Sequence, residues 1–361
     1  MREAIFPVFA AVIGGIVGSF LNACVYRMPR GIPLNNPRRS FCPACNCVIP
    51  WHQNVPVLSW VLLRGKCSAC GARISFRYLL VEFLTAVLFV FAWTRYGLPL
   101  APVYWILFAL LIAATFIDIE HFIIPDEITW GGTAAGLLLS ILFPQMMQTP
   151  SRLEAFGFSL AAAAFGYGLL WLIVELGKLA FGNKRHRFVK EEPFALRSDG
   201  DDVTLQIGDE TLSWEDIFTR ESDELVLECA SASIAGTAPV LRFRHDRMIV
   251  ADEETPLGEL KAITGTLRAV VIPREAMGFG DVKLIAAIGA FLGWKAVLFT
   301  LCAASIIGCV AAFAGIFLAR DRTGARVPFG PFLALGATIW AFGGEEIWNW
   351  YFGIFPEGNA F

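Results

Sequence analysis

The sequence predicts an all-α polytopic membrane protein of about eight transmembrane helices, carrying a small cytoplasmic zinc knuckle and a cytoplasmic, β-rich insertion. Three observations carry that expectation. Of the 361 residues, 56% are hydrophobic and only 17% charged, against about 25% charged in soluble domains. Apolar runs approaching the length of a membrane span recur along most of the chain. Four cysteines stand as two C-x-x-C pairs in a strongly basic loop.

A hydrocarbon core of about 30 Å takes roughly 20 apolar residues per helix. Eight segments approach this: roughly 4–26, 78–95, 101–117, 127–144, 155–181, 282–293, 296–318 and 329–350. The sixth is the shortest and borrows from its flanks. The first is expected to be a retained span, because its long apolar run ends in "CVYRMPR" and not in a small-residue cleavage site. Gly14 and Gly18, four residues apart, are expected to pack against another helix.

Orientation follows from the basic residues of short loops. Between Arg27 and Arg77 there are eight Lys or Arg (Arg27, Arg30, Arg38, Arg39, Arg64, Lys66, Arg73, Arg77) and no Asp or Glu, which places that loop in the cytoplasm. Counting helices onward puts the turn at 118–126, the segment 182–281 and the "ARDRTGAR" turn at 319–326 on the same side. The uncompensated charge suits attraction to anionic lipid headgroups. The chain then divides into a first span (1–26), a knuckle region (27–77), spans two to five (78–182), an insertion (183–270) and spans six to eight (271–361).

Cys42 and Cys45 of "CPAC" and Cys67 and Cys70 of "CSAC" are separated by 21 residues. Two such pairs bring four thiolates to one tetrahedral zinc, and a cytoplasmic loop disfavours disulfides. Redox pairs or spare thiols are the alternative. A closed four-thiolate site is structural and not catalytic. Cys24, Cys302 and Cys309, in apolar helices, read as packing residues.

Carboxylates at membrane depth are functional candidates by default. Asp118 ends the third apolar segment, and Asp281 opens the sixth in "GFGDVK", residues 278–283. By the helix count both reach the same membrane surface, and two such carboxylates are what an aspartic protease needs. Close like charges in a poorly solvated site share one proton; the ionised member takes a proton from water and the other polarises the scissile carbonyl. Gly278 and Gly280 let a strand-like substrate approach the backbone. Read alone, an Asp at a helix start is more often an N-cap, and Asp126 after Pro125 is expected to be one. Asp118 lacks that explanation, since a helix C-terminus disfavours an anion. Glu120, His121 and Glu127 are expected to be solvated.

"GSFLNACVYRMPRG" (18–31), the two cysteine pairs, "SFRYLLVEFLTA" (75–86), "DIEHFIIPDEIT" (118–129), "EAMGFGDVKLIAAIGAFLGW" (275–294) and "VPFGPFLALGA" (327–337) together resemble the prepilin peptidases. These are GxGD-type aspartic proteases of type IV pilus and type II secretion systems, and the match covers nearly all the chain except 182–270. The resemblance implies a multi-pass enzyme of the bacterial inner membrane whose catalytic aspartates are Asp118 and Asp281, at the cytoplasmic face. It implies cleavage of prepilin and pseudopilin leaders after a glycine, then N-methylation of the new N-terminus from S-adenosylmethionine. The methylation is associated with the cysteine-bearing region and with "RGKC", which holds Gly65 and Lys66. Membrane lipid and a prepilin are the implied partners, and no nucleic acid is expected.

The insertion departs from the family, which has a short connection there. Residues 183–270 hold 11 Lys or Arg and 18 Asp or Glu, a net of -7, leaving +4 elsewhere. Alternation in 203–207, 224–228 and 240–250, with turns at "GDET" and "RHDR", points to a small β domain; an acidic disordered tether is the alternative. Such a domain offers a surface to a cytoplasmic partner. Two other classes compete with the enzyme: a transporter using the two aspartates for a cation, and a non-enzymatic assembly factor. Short outer loops weigh against the first and intact aspartate motifs against the second. A peptidase without methylation is the nearest alternative within the enzyme class.

Overall fold

The structure, a computed structural model, describes residues 2–37, 39–181, 183–199, 202–208, 210–218, 224–233, 240–250, 253–257, 262–273, 278–319 and 327–353. The chain forms two units, residues 1–171 with 278–361, and residues 172–277.

In the first unit every segment expected to be a span is helical. α1 (Arg2–Arg27) is followed by the short α2 (Leu58–Leu62), α3 (Phe76–Tyr96), α4 (Ala101–His121), α5 (Asp126–Leu142) and α6 (Arg152–Phe181), the last running on into the second unit. Among the described residues, five helical segments are long and apolar enough to cross a membrane: Ile5–Arg30, Phe76–Tyr96, Ala101–His121, Arg152–Leu179 and Trp294–Gly315. Gly14 and Gly18 do what their spacing suggests. A Cβ on Gly14 would stand 2.6 Å from Ala86 Cα and one on Gly18 2.7 Å from Glu82 Cα, so α1 and α3 meet backbone to backbone.

The second unit answers the choice between β domain and tether. β1 (Asn183–Asp199), β2 (Asp202–Ile207), β3 (Glu210–Ser213), the one-turn α7 (Trp214–Ile217), β4 (Leu225–Ala232), β5 (Val240–Phe243), β6 (Arg247–Val250), β7 (Glu253–Pro256) and β8 (Ile263–Pro273) follow in order. The strands make one sheet, ordered β3-β2-β1-β8-β4-β5-β6-β7, and every pairing is antiparallel. Alternate residues bury Leu196, Leu205, Leu225, Leu227, Leu241, Phe243 and Leu267 in one core with Trp214, the period-2 pattern of a half-buried sheet. The "RHDR" turn closes the β5–β6 hairpin through the Arg244 N–H to Arg247 O contact. Asp209 of "GDET" lies outside the described residues, as do residues 320–326 of "ARDRTGAR".

The chain then returns to the first unit through α8 (Phe279–Leu292), α9 (Trp294–Ala319), α10 (Gly330–Ile339), a π-turn at Trp340–Gly344 and α11 (Glu345–Gly353). α8 explains why the sixth segment reads as weak. Its 14 residues span about 21 Å, short of the hydrocarbon core. Val282, Leu284, Ile285, Ala287 and Ile288 are all buried, and α8 is apolar on every side because protein surrounds it. Ser159 Oγ of α6 donates to Ala290 O at 2.7 Å. A Cβ on Gly136 of α5 would stand 2.8 Å from Ala290 Cβ. A helix packed this way needs no lipid-matched length.

Candidate functional site

Asp118 occupies the last turn of α4 and is buried, at 6% exposure. Helix stability does not hold it there; another helix end does. The Gly330 N–H, at the start of α10, donates to Asp118 Oδ2 at 2.9 Å. The amide end of a helix carries partial positive charge, so α10 supplies what the C-terminus of α4 withholds. Gly330 must lack a side chain, since a Cβ there would stand 2.6 Å from that same oxygen.

Asp281 is also buried, at 6% exposure. It is not the N-cap of α8. Gly278 takes that place with φ -63 and ψ 141, and Asp281 is the third helical residue. Its Oδ1 is buried with no hydrogen-bond partner, which a cap would have supplied. A buried carboxylate oxygen left unpaired is costly and calls for an explanation.

Ile124 links the two. A Cβ on Gly280 would meet Ile124 Cβ at 3.0 Å, and one on Gly330 would meet Ile124 Cδ1 at 3.0 Å. Asp118 lies within electrostatic reach of Asp281, and α10 packs on both α4 and α8. The pair thus sits where three helix ends converge around one isoleucine. The bareness of Gly280 is used by Ile124, whereas Gly278 is exposed and only Asp281 Oδ2 would meet a Cβ there, at 3.6 Å.

The expected cap at Asp126 takes a different form. Pro125 precedes α5, and Asp126 is its first residue with no side-chain cap bond. Its carboxylate instead binds Lys283 Nζ of α8 at 2.6 Å, tying α5 to the helix that carries Asp281. Glu120 is not simply solvated, because Arg77 pairs with it. Arg30 Nη1 lies 3.4 Å from His121 Nε2. Nor is the basic loop uniformly available to lipid. Arg27 is 4% exposed, and its guanidinium donates to the carbonyls of Leu34, Pro37 and Arg39 at 2.9, 2.8 and 3.1 Å.

The four cysteines do come together. The sulfurs of Cys42, Cys45, Cys67 and Cys70 all lie within 4.8 Å of one another, with Cys42 and Cys70 at 3.9 Å. Zinc–sulfur bonds of about 2.3 Å in a tetrahedron put sulfurs roughly 3.8 Å apart, so the donor set fits that ion. Each pair is built alike. Asn46 N–H donates to Cys42 O at 2.8 Å and Gly71 N–H to Cys67 O at 2.9 Å. Asn46 and Gly71 are both left-handed, at φ 57 and φ 73. The bridges Phe41↔Val48 and Lys66↔Arg73 flank the two turns.

The amides of Cys70 and Ala69 aim at the Cys67 sulfur and lower its thiol to about 7. At Cys45 the Cys47 amide pulls down, but desolvation and contacts to the sulfurs of Cys70, Cys47 and Cys42 outweigh it and push the thiol up to about 12. Four crowded thiols without a cation cannot all ionise, which is how a metal would be bound. Cys47 is exposed and outside the set.

Gly65 adopts φ +63, and a Cβ there would stand 2.8 Å from the Trp60 ring. Its smallness therefore has a local packing reason. Lys66 is exposed beside it. Both belong to the knuckle region, apart in the chain from the helix ends that carry Asp118 and Asp281. The sequence reading missed Gly330, although "FGPF" announces a helix start, and it missed Ile124.

Residues 12–96 match the bacterial peptidase A24 N-terminal domain, and residues 105–183 and 245–313 match the type IV leader peptidase family. The chain is 41% identical over 165 residues to a prepilin leader peptidase/N-methyltransferase of Myxococcus xanthus, covering 45% of this chain and 46% of that one. It is 28% identical to the protein so named in Aeromonas hydrophila, covering 93% and 90%. It is 38% identical to a type 4 prepilin-like proteins leader peptide-processing enzyme of Escherichia coli, covering 50% of this chain and 72% of that one. No solved structure matches.

Proposed function

The chain belongs to the type IV leader peptidase family, and from that membership we propose how its own residues perform leader cleavage and N-methylation. It is a membrane aspartic endopeptidase that removes the leaders of type IV prepilins and pseudopilins and methylates the new N-terminus. The observation that carries the peptidase assignment is the buried pair Asp118 and Asp281 around Ile124. The pair shares one proton. The Gly330 amide favours negative charge on Asp118, which leaves the proton on Asp281. Asp118 then takes a proton from the attacking water, and Asp281 Oδ1 donates to the scissile carbonyl. Exposed Gly278 is the edge along which the leader junction lies.

Eight segments cross the bilayer; α5, α8 and α10 are the short ones, and α8 is enclosed by protein. The basic loop faces the cytoplasm of the bacterial inner membrane, and the aspartates share that face. A prepilin carries a basic leader before an apolar helix, so its scissile bond lies at the depth of the pair. The four cysteines hold one structural zinc, which when bound supplies folding energy and no chemistry. S-adenosylmethionine, when bound, supplies the methyl group, and Gly65 and Lys66 belong to the region that uses it.

Purified full-length protein incubated with a prepilin peptide and the methyl donor tests this. Mass spectrometry is expected to find the mature peptide with one added methyl, and elemental analysis about one zinc per chain. Cys47→Ser is expected to keep the metal. An uncleaved peptide contradicts the peptidase; active enzyme free of metal contradicts the knuckle.

A further inference from the structure

A cavity of about 350 Å³ lies between α1, α3 and the knuckle loop. Tyr26, Phe41, Trp60 and Tyr78 line it, and so do two buried polar side chains, Asn22 and Glu82. Its size falls among small-molecule pockets, roughly 300–1,000 Å³ with apolar walls and few polar groups. Neither leader cleavage nor zinc binding uses those two polar residues.

Glu82 sits in α3 at 9% exposure. Among the described residues it has no ion-pair partner within 4.0 Å; the Val57 N–H donates to its Oε2 at 2.7 Å, and the Ser19 hydroxyl also reaches the carboxylate. That amide is presented by a γ-turn. Val57 has φ 64 and ψ -52, and the Leu58 N–H reaches Pro56 O at 2.6 Å. A β-branched residue in this conformation is rare and strained, and such strain gathers at ligand sites. Asn22, at 2% exposure, donates through Nδ2 to Tyr78 O at 2.9 Å. Its Oδ1 is buried and has no partner.

Ser19, Tyr26, Arg27 and Tyr78 also line the α1 and α3 walls, but the Arg27 guanidinium is spent on three backbone carbonyls, which leaves the Glu82 carboxylate and Asn22 Oδ1 as buried acceptors facing the cavity. A buried carboxylate that no cation pairs with is costly unless a ligand brings one. The aromatic lining suits a flat heterocycle and a cation. We propose that this cavity binds S-adenosylmethionine, with Glu82 and Asn22 Oδ1 accepting from its cationic amino-acid end and the aromatic walls taking the adenine. This rests on the methylation reading above and gives it a location.

The probe is S-adenosylmethionine itself, titrated calorimetrically into the full-length protein. Glu82→Gln is expected to weaken binding at least about tenfold, the worth of a hydrogen bond to a buried charge, while leader cleavage and zinc content stay as they were. S-adenosylhomocysteine, which lacks the sulfonium charge, separates the two cations. If Glu82 reads the sulfonium, the preference for the methyl donor disappears in the variant; if it reads the ammonium, both ligands weaken alike. Unchanged affinity overturns the proposal, as does parallel loss of binding and cleavage. Ultraviolet cross-linking of labelled S-adenosylmethionine to the wild-type protein needs no variant to fold. Label is expected in peptides from residues 19–82, and label confined elsewhere overturns the assignment. Wild-type protein that neither binds nor methylates sinks the methylation reading itself; binding and methylation with Glu82→Gln unaffected sinks only the cavity.

Discussion

Asp118→Asn and Asp281→Asn are each expected to lower leader cleavage by about 10²–10⁴-fold, the contribution of a positioned acid or base, with the protein still folded and inserted. Asparagine keeps the shape of either side chain, and the Gly330 amide can still reach the Oδ of residue 118. What is lost is the shared proton. Each change removes one half of an acid–base pair, so the double variant should be little worse than either single one. Asp126→Asn is the matched control. Its partner Lys283 lies across to α8, but the Asp126 side chain is 62% exposed, and such pairs contribute about 0–1 kcal/mol. Processing of a co-expressed prepilin, followed by the mobility of the mature form, measures all four. Appreciable cleavage by either single variant removes that aspartate from the mechanism.

Replacing Cys67 and Cys70 by serine is expected to abolish zinc binding and to impair methyl transfer far more than leader cleavage. A structural zinc contributes about 10–16 kcal/mol to the fold around it, so the knuckle without metal unfolds. Cys42, Cys47 and Cys67 line the cavity beside it, and that cavity goes with the knuckle. Asp118 and Asp281 depend on α4, α5, α8 and α10; α4 also packs on α1 and α3, but those two helices hold each other directly and do not need the knuckle for that. Assaying both activities on one preparation with one peptide decides the point. Equal loss would mean that the knuckle holds the substrate for both steps or supports the whole helical unit.

What the sequence made legible was local. Apolar runs marked eight helices because a helix buries its residues by stretch, and the period-2 alternation of "ELVLE" marked β4 because a half-buried strand repeats every second residue. The cysteine pairs could be read because metal ligation fixes spacing. What escaped was set by tertiary contact. The amide that holds Asp118 comes from Gly330, 212 residues away, and no local pattern encodes that meeting. Asp126 resembled a cap because Pro-Asp at a helix start usually supplies one; Lys283, brought across by α8, claimed it instead. Arg27 counted as one more loop charge until three carbonyls were found around it. Val57 carries no sign in sequence of a residue bent to positive φ for a carboxylate 25 residues on.

The scissile junction of a prepilin is expected to lie against Asp118 and Asp281. The most direct measurement places a photoreactive group at the position after the scissile glycine in a prepilin-derived peptide, cross-links it to the full-length protein and maps the label. Label is expected at 278–281 and in the segments around Asp118 and Gly330, lost when unlabelled prepilin competes. Competable label confined to the knuckle loop or to the 183–270 sheet would contradict it.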